Sequence, residues 1–327
     1  MNSAKFVPKR HFPEVTIARG ITMLLVILGH AFPDGDRHMA YFSAQVIHHT
    51  IYLFHMGTFM LLAGFVAAPK LLGNDRVGGE IKKRFMRMMV PYYAWTSVLI
   101  LLKQIFGMLA REPFSLKDTW KLLIGAEHLG WLWYLLALFV ISAGYLLLSR
   151  RTKNLKVMIG IGLVIHMVWF FFPDMYLDRV AKYAVFFAIG AWLRVNYDKL
   201  LPLLRKPWAA LIAIGIILIK PWMPFPYVVT GLAGTLLVWQ GACAIADRNG
   251  RAARICTEIG NRSLDIYLLG YYVQVPARVV MDRILHVPYW PQVILCTAAG
   301  VVIPLLLSRY IVPRLGILRR IFLGYAK

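Results

Sequence analysis

The sequence predicts an all-α protein, a polytopic bundle of about ten transmembrane helices with its N-terminus and C-terminus both cytoplasmic. Three observations carry that prediction. Hydrophobic residues fill 59% of 327 positions and charged residues only 16%, a balance too apolar for a water-soluble fold of this length. Ten apolar runs are each long enough to cross about 30 Å of hydrocarbon. Lys and Arg crowd the segments on alternate sides of those runs, as they do in the cytoplasmic loops of membrane proteins.

The runs fall at residues 17–32, 46–68, 88–106, 131–149, 155–172, 180–195, 208–222, 225–246, 263–281 and 289–312. With the N-terminus inside, and each basic residue near a run end counted with the segment it borders, the inner segments hold 26 of the 37 Lys and Arg residues and the outer segments 10 (Arg37, Lys103, Arg111, Lys117, Lys121, Arg179, Lys182, Lys220, Arg278 and Arg283), with Arg19 deeper inside the first run. Removing any one run would invert every later segment and destroy the asymmetry. The net charge of +22 is therefore read as a topology signal, and no nucleic-acid partner is expected. The basic N-terminus followed by an apolar stretch resembles a secretory leader, but Phe32, Pro33 and Asp34 follow where small residues would mark cleavage, so an uncleaved first span is predicted. Cys243, Cys256 and Cys296 form no spaced pair, which excludes a zinc motif and a disulfide framework and makes them packing residues.

Residues 1–327 read as one integral membrane domain without a short repeat. The longest connection, 107–130, mixes Arg111, Glu112, Lys117, Asp118, Trp120 and Glu127 and is expected to form a short interfacial helix. Aromatic residues near the run ends, including Tyr92, Tyr93, Trp95, Trp131, Trp133 and Tyr134, fit the belt at the membrane surface.

Ionisable side chains inside an apolar run are costly and mark function. The first run carries Arg19 and His30, eleven residues apart, which is about three helical turns and roughly 16 Å along one face. Arg19 is expected near the cytoplasmic end and His30 nearer the outer half. His55 lies within the second run, with His48 seven residues earlier. No carboxylate or cysteine accompanies His30 and His55, so no metal is expected. At the start of the third run Lys82, Lys83, Arg84 and Arg87 are basic enough to anchor the helix; Arg84 and Arg87, about one turn apart, also suit a phosphate-binding fork. Ser263 and Asp265 open the ninth run as an N-cap and a first-turn carboxylate.

These motifs, in this order, resemble the acyltransferase-3 family of bacterial integral membrane O-acyltransferases over nearly the whole chain. The family's Arg, ten intervening residues and His fall on Arg19 and His30 within "ARGITMLLVILGH". Its Arg-x-x-Arg motif falls on Arg84 and Arg87, and "FHMGTFMLLAGF", "LWYLLALF" and "IGNRSLDIYLL" resemble its second, fourth and late segments. The resemblance implies a multi-pass protein of the bacterial inner membrane, in contact with membrane lipid, that moves an acyl group from acyl-coenzyme A, in the default case acetyl-CoA, to a hydroxyl of a cell-envelope glycan or polysaccharide. No permanently bound cofactor is implied. His30 would be the general base, Arg19 would line the donor's route, and Arg84 and Arg87 would bind the coenzyme phosphates; His55, Trp133 and Tyr267 are candidates for the substrate path. Three family positions differ: Thr16 replaces an Asp, Ala63 a Ser and Gly270 a His. The rival reading, a glycan or lipid-linked sugar transporter, would call for symmetric halves and paired interrupted helices, and no internal similarity is present.

Overall fold

A computed structural model describes residues 10–33, 37, 39–73, 76–105, 132–171, 178–223 and 226–325. Among these the ordered secondary structure is helical and no strand occurs. In chain order the α-helices are α1 (Pro13–Gly29), α2 (Phe42–Tyr52), α3 (His55–Gly73), α4 (Val77–Arg84), α5 (Val90–Ile105), α6 (Trp133–Leu148), α7 (Leu155–Phe171), α8 (Asp178–Val195), α9 (Tyr197–Leu204), α10 (Pro207–Ile219), α11 (Tyr227–Arg248), α12 (Arg251–Asn261), α13 (Ser263–Val279), α14 (Tyr289–Leu306) and α15 (Leu318–Leu323). Wider π-turns interrupt the series at Phe85–Met89, Val280–Ile284 and Leu307–Ile311.

Each of the ten apolar runs contains a helix. Among the described residues, however, only Phe42–Gly73, Val77–Leu102, Tyr227–Arg248 and Tyr289–Arg314 are by themselves long and apolar enough to cross a membrane. A fifth arises if Tyr197–Leu204 and Pro207–Ile219 act together, across a bend of 74°. Pro207 causes that bend: Lys206 before it is extended, at φ −69° and ψ 131°, the conformation that a following proline ring imposes. The expected interfacial helix at 107–130 lies outside the described residues.

The chain divides into two compact units, one of Pro8–Val66 with Gly190–Val312 and the other of Ala67–Ile189 with Pro313–Lys327. In the first, α1 is the hub and packs against α2, α11, α12, α13 and α14. Its tightest neighbour is α12. A Cβ on Gly20 would come within 2.9 Å of the Cys256 carbonyl carbon, and a Cβ on Gly260 within 3.0 Å of that of Thr16. Glycine on both helices thus lets the two backbones touch, a close approach that small residues commonly supply between membrane helices. On α12 the residues facing inward are Ala253, Cys256, Ile259 and Gly260, all buried. Their spacing is that of one helical face, although the surrounding arginines mark the same segment as a basic connection.

In the second unit α6, α7 and α8 converge on Tyr145, which donates to the carbonyls of Met158 at 3.3 Å and Ala184 at 3.2 Å and stacks on Phe187. Helix α5 packs on α15, where the Trp95 indole donates to the Phe322 carbonyl at 2.7 Å.

Candidate functional site

Helix α1 ends at Gly29, and His30 forms its C-cap at φ −96° and ψ 1°. The imidazole is half-buried within a ring cluster of the same unit. Tyr52 lies 6.3 Å from it and Tyr271 6.5 Å, both edge-on. His48 stacks on Tyr52 at 4.1 Å, and His55 approaches the other edge of Tyr52 at 4.8 Å. Tyr52 belongs here because the second apolar run breaks at Leu53 and Phe54. Phe54 presses its ring onto Gly234, where a Cβ could not fit, and the chain resumes as α3 at His55. The buried His55 Nδ1–H donates to the Ile51 carbonyl at 2.7 Å, so this imidazole satisfies a backbone acceptor at the break while its ring stays beside Tyr52. What the arrangement offers chemically is a proton acceptor, His30, with two phenols and a second imidazole around it.

The other wall is α13. Gly270, Gln274 and Arg278 succeed one another at intervals of four residues and so share a face. A Cβ at Gly270 would meet Ile27 Cδ1 at 2.7 Å and the Gly300 carbonyl at 3.2 Å. Gln274, fully buried, donates to the Ile27 carbonyl at 2.8 Å. The Arg278 Nη1 donates to the carbonyls of His30 at 2.7 Å and Phe32 at 3.4 Å. The sequence reading placed Arg278 among outer-loop charges and passed over Gln274. The available signal was a Gln and an Arg one turn apart in an apolar run.

Arg19 is half-buried on α1, beside the Gly20 crossing with α12. Tyr267 is buried on α13, one turn before Tyr271. Below it the expected capping role of Ser263 is not realised: Arg262 occupies the cap position at φ −104° and ψ 16°, with no side-chain cap bond. Helices α12 and α13 are joined through that single residue, which leaves no place for the extended conformation that a capping serine adopts. Asp265 is instead buried and accepts from Ser308. Arg262 donates to Ser308 Oγ at 2.9 Å and to Glu258 at 2.7 Å. A carboxylate held this way in an apolar setting is a satisfied polar network.

The remaining candidates belong to the second unit. Trp133 stacks on Tyr183 at 5.4 Å, with the Arg179 guanidinium 4.7 Å above its ring. Arg84 closes α4, and Arg87 sits in the π-turn Phe85–Met89. A π-turn takes more residues than an α-turn, so the two arginines do not have the regular one-turn alignment expected from their spacing. Pro91 accounts for the widening: it has no N–H for the Arg87 carbonyl four residues earlier, and its ring crowds that carbonyl. Gly324 packs against the same carbonyl, with no room for a Cβ. Arg84 is half-buried, with an Nε that has no hydrogen-bond partner among the described residues; Arg87 is exposed. The nearby buried Glu80 is held by Lys70 at 2.7 Å and Lys83 at 3.3 Å. Lys70, Lys83 and Arg84 thus lie around one carboxylate, with Arg87 beside Arg84, leaving an excess of positive charge.

Among the described residues no three His, Cys, Asp or Glu side chains gather as a metal-binding set. The family model described as an acyltransferase domain matches residues 12–309. The stretch therefore includes His30, Arg19, Arg84, Arg87 and the α13 face. The nodulation protein NolL of Mesorhizobium japonicum is 30% identical over 130 residues, which cover 38% of this chain and 32% of that protein. This chain thus spans about a third of the relative's length in the match. No solved structure matches.

Proposed function

The chain belongs to the acyltransferase-3 family, and from that premise we propose that it is a membrane O-acyltransferase that uses acyl-coenzyme A, acetyl-CoA in the default case, to acylate a hydroxyl of a cell-envelope glycan or polysaccharide precursor. The observation that supports this most is the placement of His30: a half-buried imidazole at a helix end, among Tyr52, Tyr271 and His48, within the stretch that matches the acyltransferase domain. His30 takes the proton of the acceptor hydroxyl as its oxygen attacks the thioester carbonyl. The new C–O bond forms, the C–S bond breaks, and the proton passes to the departing coenzyme thiolate. Arg19 lines the donor's route, and Arg84 with Arg87 binds its phosphates, the Arg84 group being the better shielded from water. In this reading the ten helical runs are ten crossings of the bacterial inner membrane, with both termini cytoplasmic, and the acceptor is met from the outer side.

The test uses membranes from cells that produce the protein and carry its natural acceptor. Labelled acetyl from acetyl-CoA should enter envelope glycan with wild-type protein and not with His30→Ala. Normal transfer by His30→Ala would sink the mechanism. Release of no coenzyme A by the wild type, with glycan crossing the membrane unmodified, would replace it with the transporter reading.

A further inference from the structure

Helix α1 has no basic residue in its last turn, so its own sequence supplies nothing to complement the partial negative charge at that end. The His30 N–H closes its last turn on the Val26 and Ile27 carbonyls and the Ala31 N–H on that of Leu28, so the carbonyls beyond, and the second lone pair of Ile27, are what other donors must meet in an apolar setting. Helix α13 provides them. Gln274 takes the Ile27 carbonyl, and Arg278, one turn on, takes those of His30 and Phe32. One guanidinium nitrogen therefore holds the carbonyl of the His30 residue itself and that of the residue two positions later. The turn between them carries the imidazole into the space between Tyr52 and Tyr271.

We infer that Arg278 is a positioning residue for His30: its guanidinium, bonded to the carbonyls on either side of Ala31, fixes the turn that aims the imidazole. The inference rests on the acyl-transfer reading of His30. It differs from a topology role for Arg278, because a charge that only marks the outer side would need no carbonyl partners and no particular reach. Arg283, five residues on and exposed, serves as that comparison. A planar guanidinium can bond two carbonyls at a fixed spread, whereas a lysine ammonium is a compact point donor with shorter reach. Lysine should therefore recover part of the function and methionine none.

The experiment measures acetyl transfer in membranes that carry natural acceptor, the unfolding midpoint of each purified variant in detergent, and the carbethoxylation rate of His30 by diethyl pyrocarbonate, read by mass spectrometry of its peptide. Arg278→Met should lower the maximal rate by about tenfold or more, as misplacement of a catalytic group does, with the Michaelis constant for acetyl-CoA unchanged and an unfolding midpoint that, though lowered by the two freed carbonyls, stays well above the assay temperature. The freed imidazole should be carbethoxylated faster. Arg278→Lys should recover both readouts in part, and Arg283→Met should match wild type. Wild-type transfer and carbethoxylation rates in Arg278→Met would overturn the inference. So would a loss of activity that follows a fall of the unfolding midpoint to the assay temperature and is not relieved by lysine. If wild-type protein transfers no acetyl while His30 reactivity still depends on Arg278, the acyl-transfer reading fails and the positioning contact stands.

Discussion

Replacing Gly260 by alanine sets two effects of opposite sign against each other, and the geometry decides between them. In a helix interior alanine is favoured over glycine by about 1 kcal/mol. Against this, the added Cβ would lie within 3.0 Å of the Thr16 carbonyl carbon, nearer still to its oxygen, and 3.2 Å from the Gly20 nitrogen. All of these are backbone atoms of α1, so no rotamer change relieves the clash, and the two helices must separate by roughly 1 Å. A gap of that size forfeits a quarter to a half of the dispersion energy of the facing atoms. Overpacking of this kind costs typically ~1–3 kcal/mol, and the upper end applies where only backbone can move. Net destabilisation is then about 2 kcal/mol, a fall of ~3 °C in the unfolding midpoint for a chain of this size.

The assay is thermal unfolding of purified protein in detergent, beside Gly241→Ala on α11, where nothing lies within 4 Å of the added methyl. Gly241→Ala should hold or raise the midpoint, because only the propensity effect operates there. Gly260→Ala should also reduce acyl transfer, because α1 carries Arg19 one residue from the crossing. An unfolding midpoint for Gly260→Ala at or above that of Gly241→Ala would refute the reasoning, since it would mean that the α1–α12 contact is not tight.

Two further substitutions probe the polar groups. Arg84→Ala should raise the Michaelis constant for acyl-coenzyme A by about tenfold or more, the worth of one lost charge-assisted hydrogen bond, and leave the maximal rate nearly unchanged, whereas exposed Arg87→Ala should do less; steady-state transfer kinetics over a range of donor concentrations would check both, and an unaltered constant for Arg84→Ala would reduce that residue to an anchor. Asp265→Ala should destabilise the protein by ~1–3 kcal/mol, because it leaves the buried Ser308 hydroxyl, which also accepts from Arg262, without its carboxylate acceptor; unfolding in detergent at the wild-type temperature would show that the network contributes no net stability.

How much of this was legible in the sequence depends on whether the information is local. Apolar runs and the Arg19 to His30 spacing are properties of consecutive residues, and both survive in the fold: ten runs hold helices, and α1 is regular up to the cap at His30. Lengths were less secure. The apolar pattern continues to Phe32, but the helix stops at Gly29, and the carbonyls of His30 and Phe32 beyond it turn to Arg278 of α13. Helix α12 was hidden by charge, since its arginines made it look like a connection although Ala253, Cys256, Ile259 and Gly260 repeat at helical intervals. The role of Asp265 was misjudged for the opposite reason: its nearness to Ser263 suggested a local cap, while its partner, Ser308, is 43 residues away. The π-turn under Arg87 depends on Pro91 and on Gly324 from the far end of the chain, and spacing alone could not show it.

Position 270 illustrates how such non-local packing bears on chemistry. Compared with the family pattern, Gly270 looks like the loss of an ionisable group from the late span. In the fold a Cβ there would meet Ile27 Cδ1 at 2.7 Å and the Gly300 carbonyl oxygen at 3.2 Å, so even a methyl needs the Ile27 side chain to turn and the carbonyl to give by a few tenths of an ångström. Close packing at Gly270 is also what brings Gln274 and Arg278, one and two turns further along the same face, to the last carbonyls of α1. A histidine at 270 is larger than that methyl and would strain the approach on which both contacts depend. The glycine and the two polar residues after it therefore act as one device: a small residue that permits the approach, followed by two donors that use it to hold the turn carrying His30.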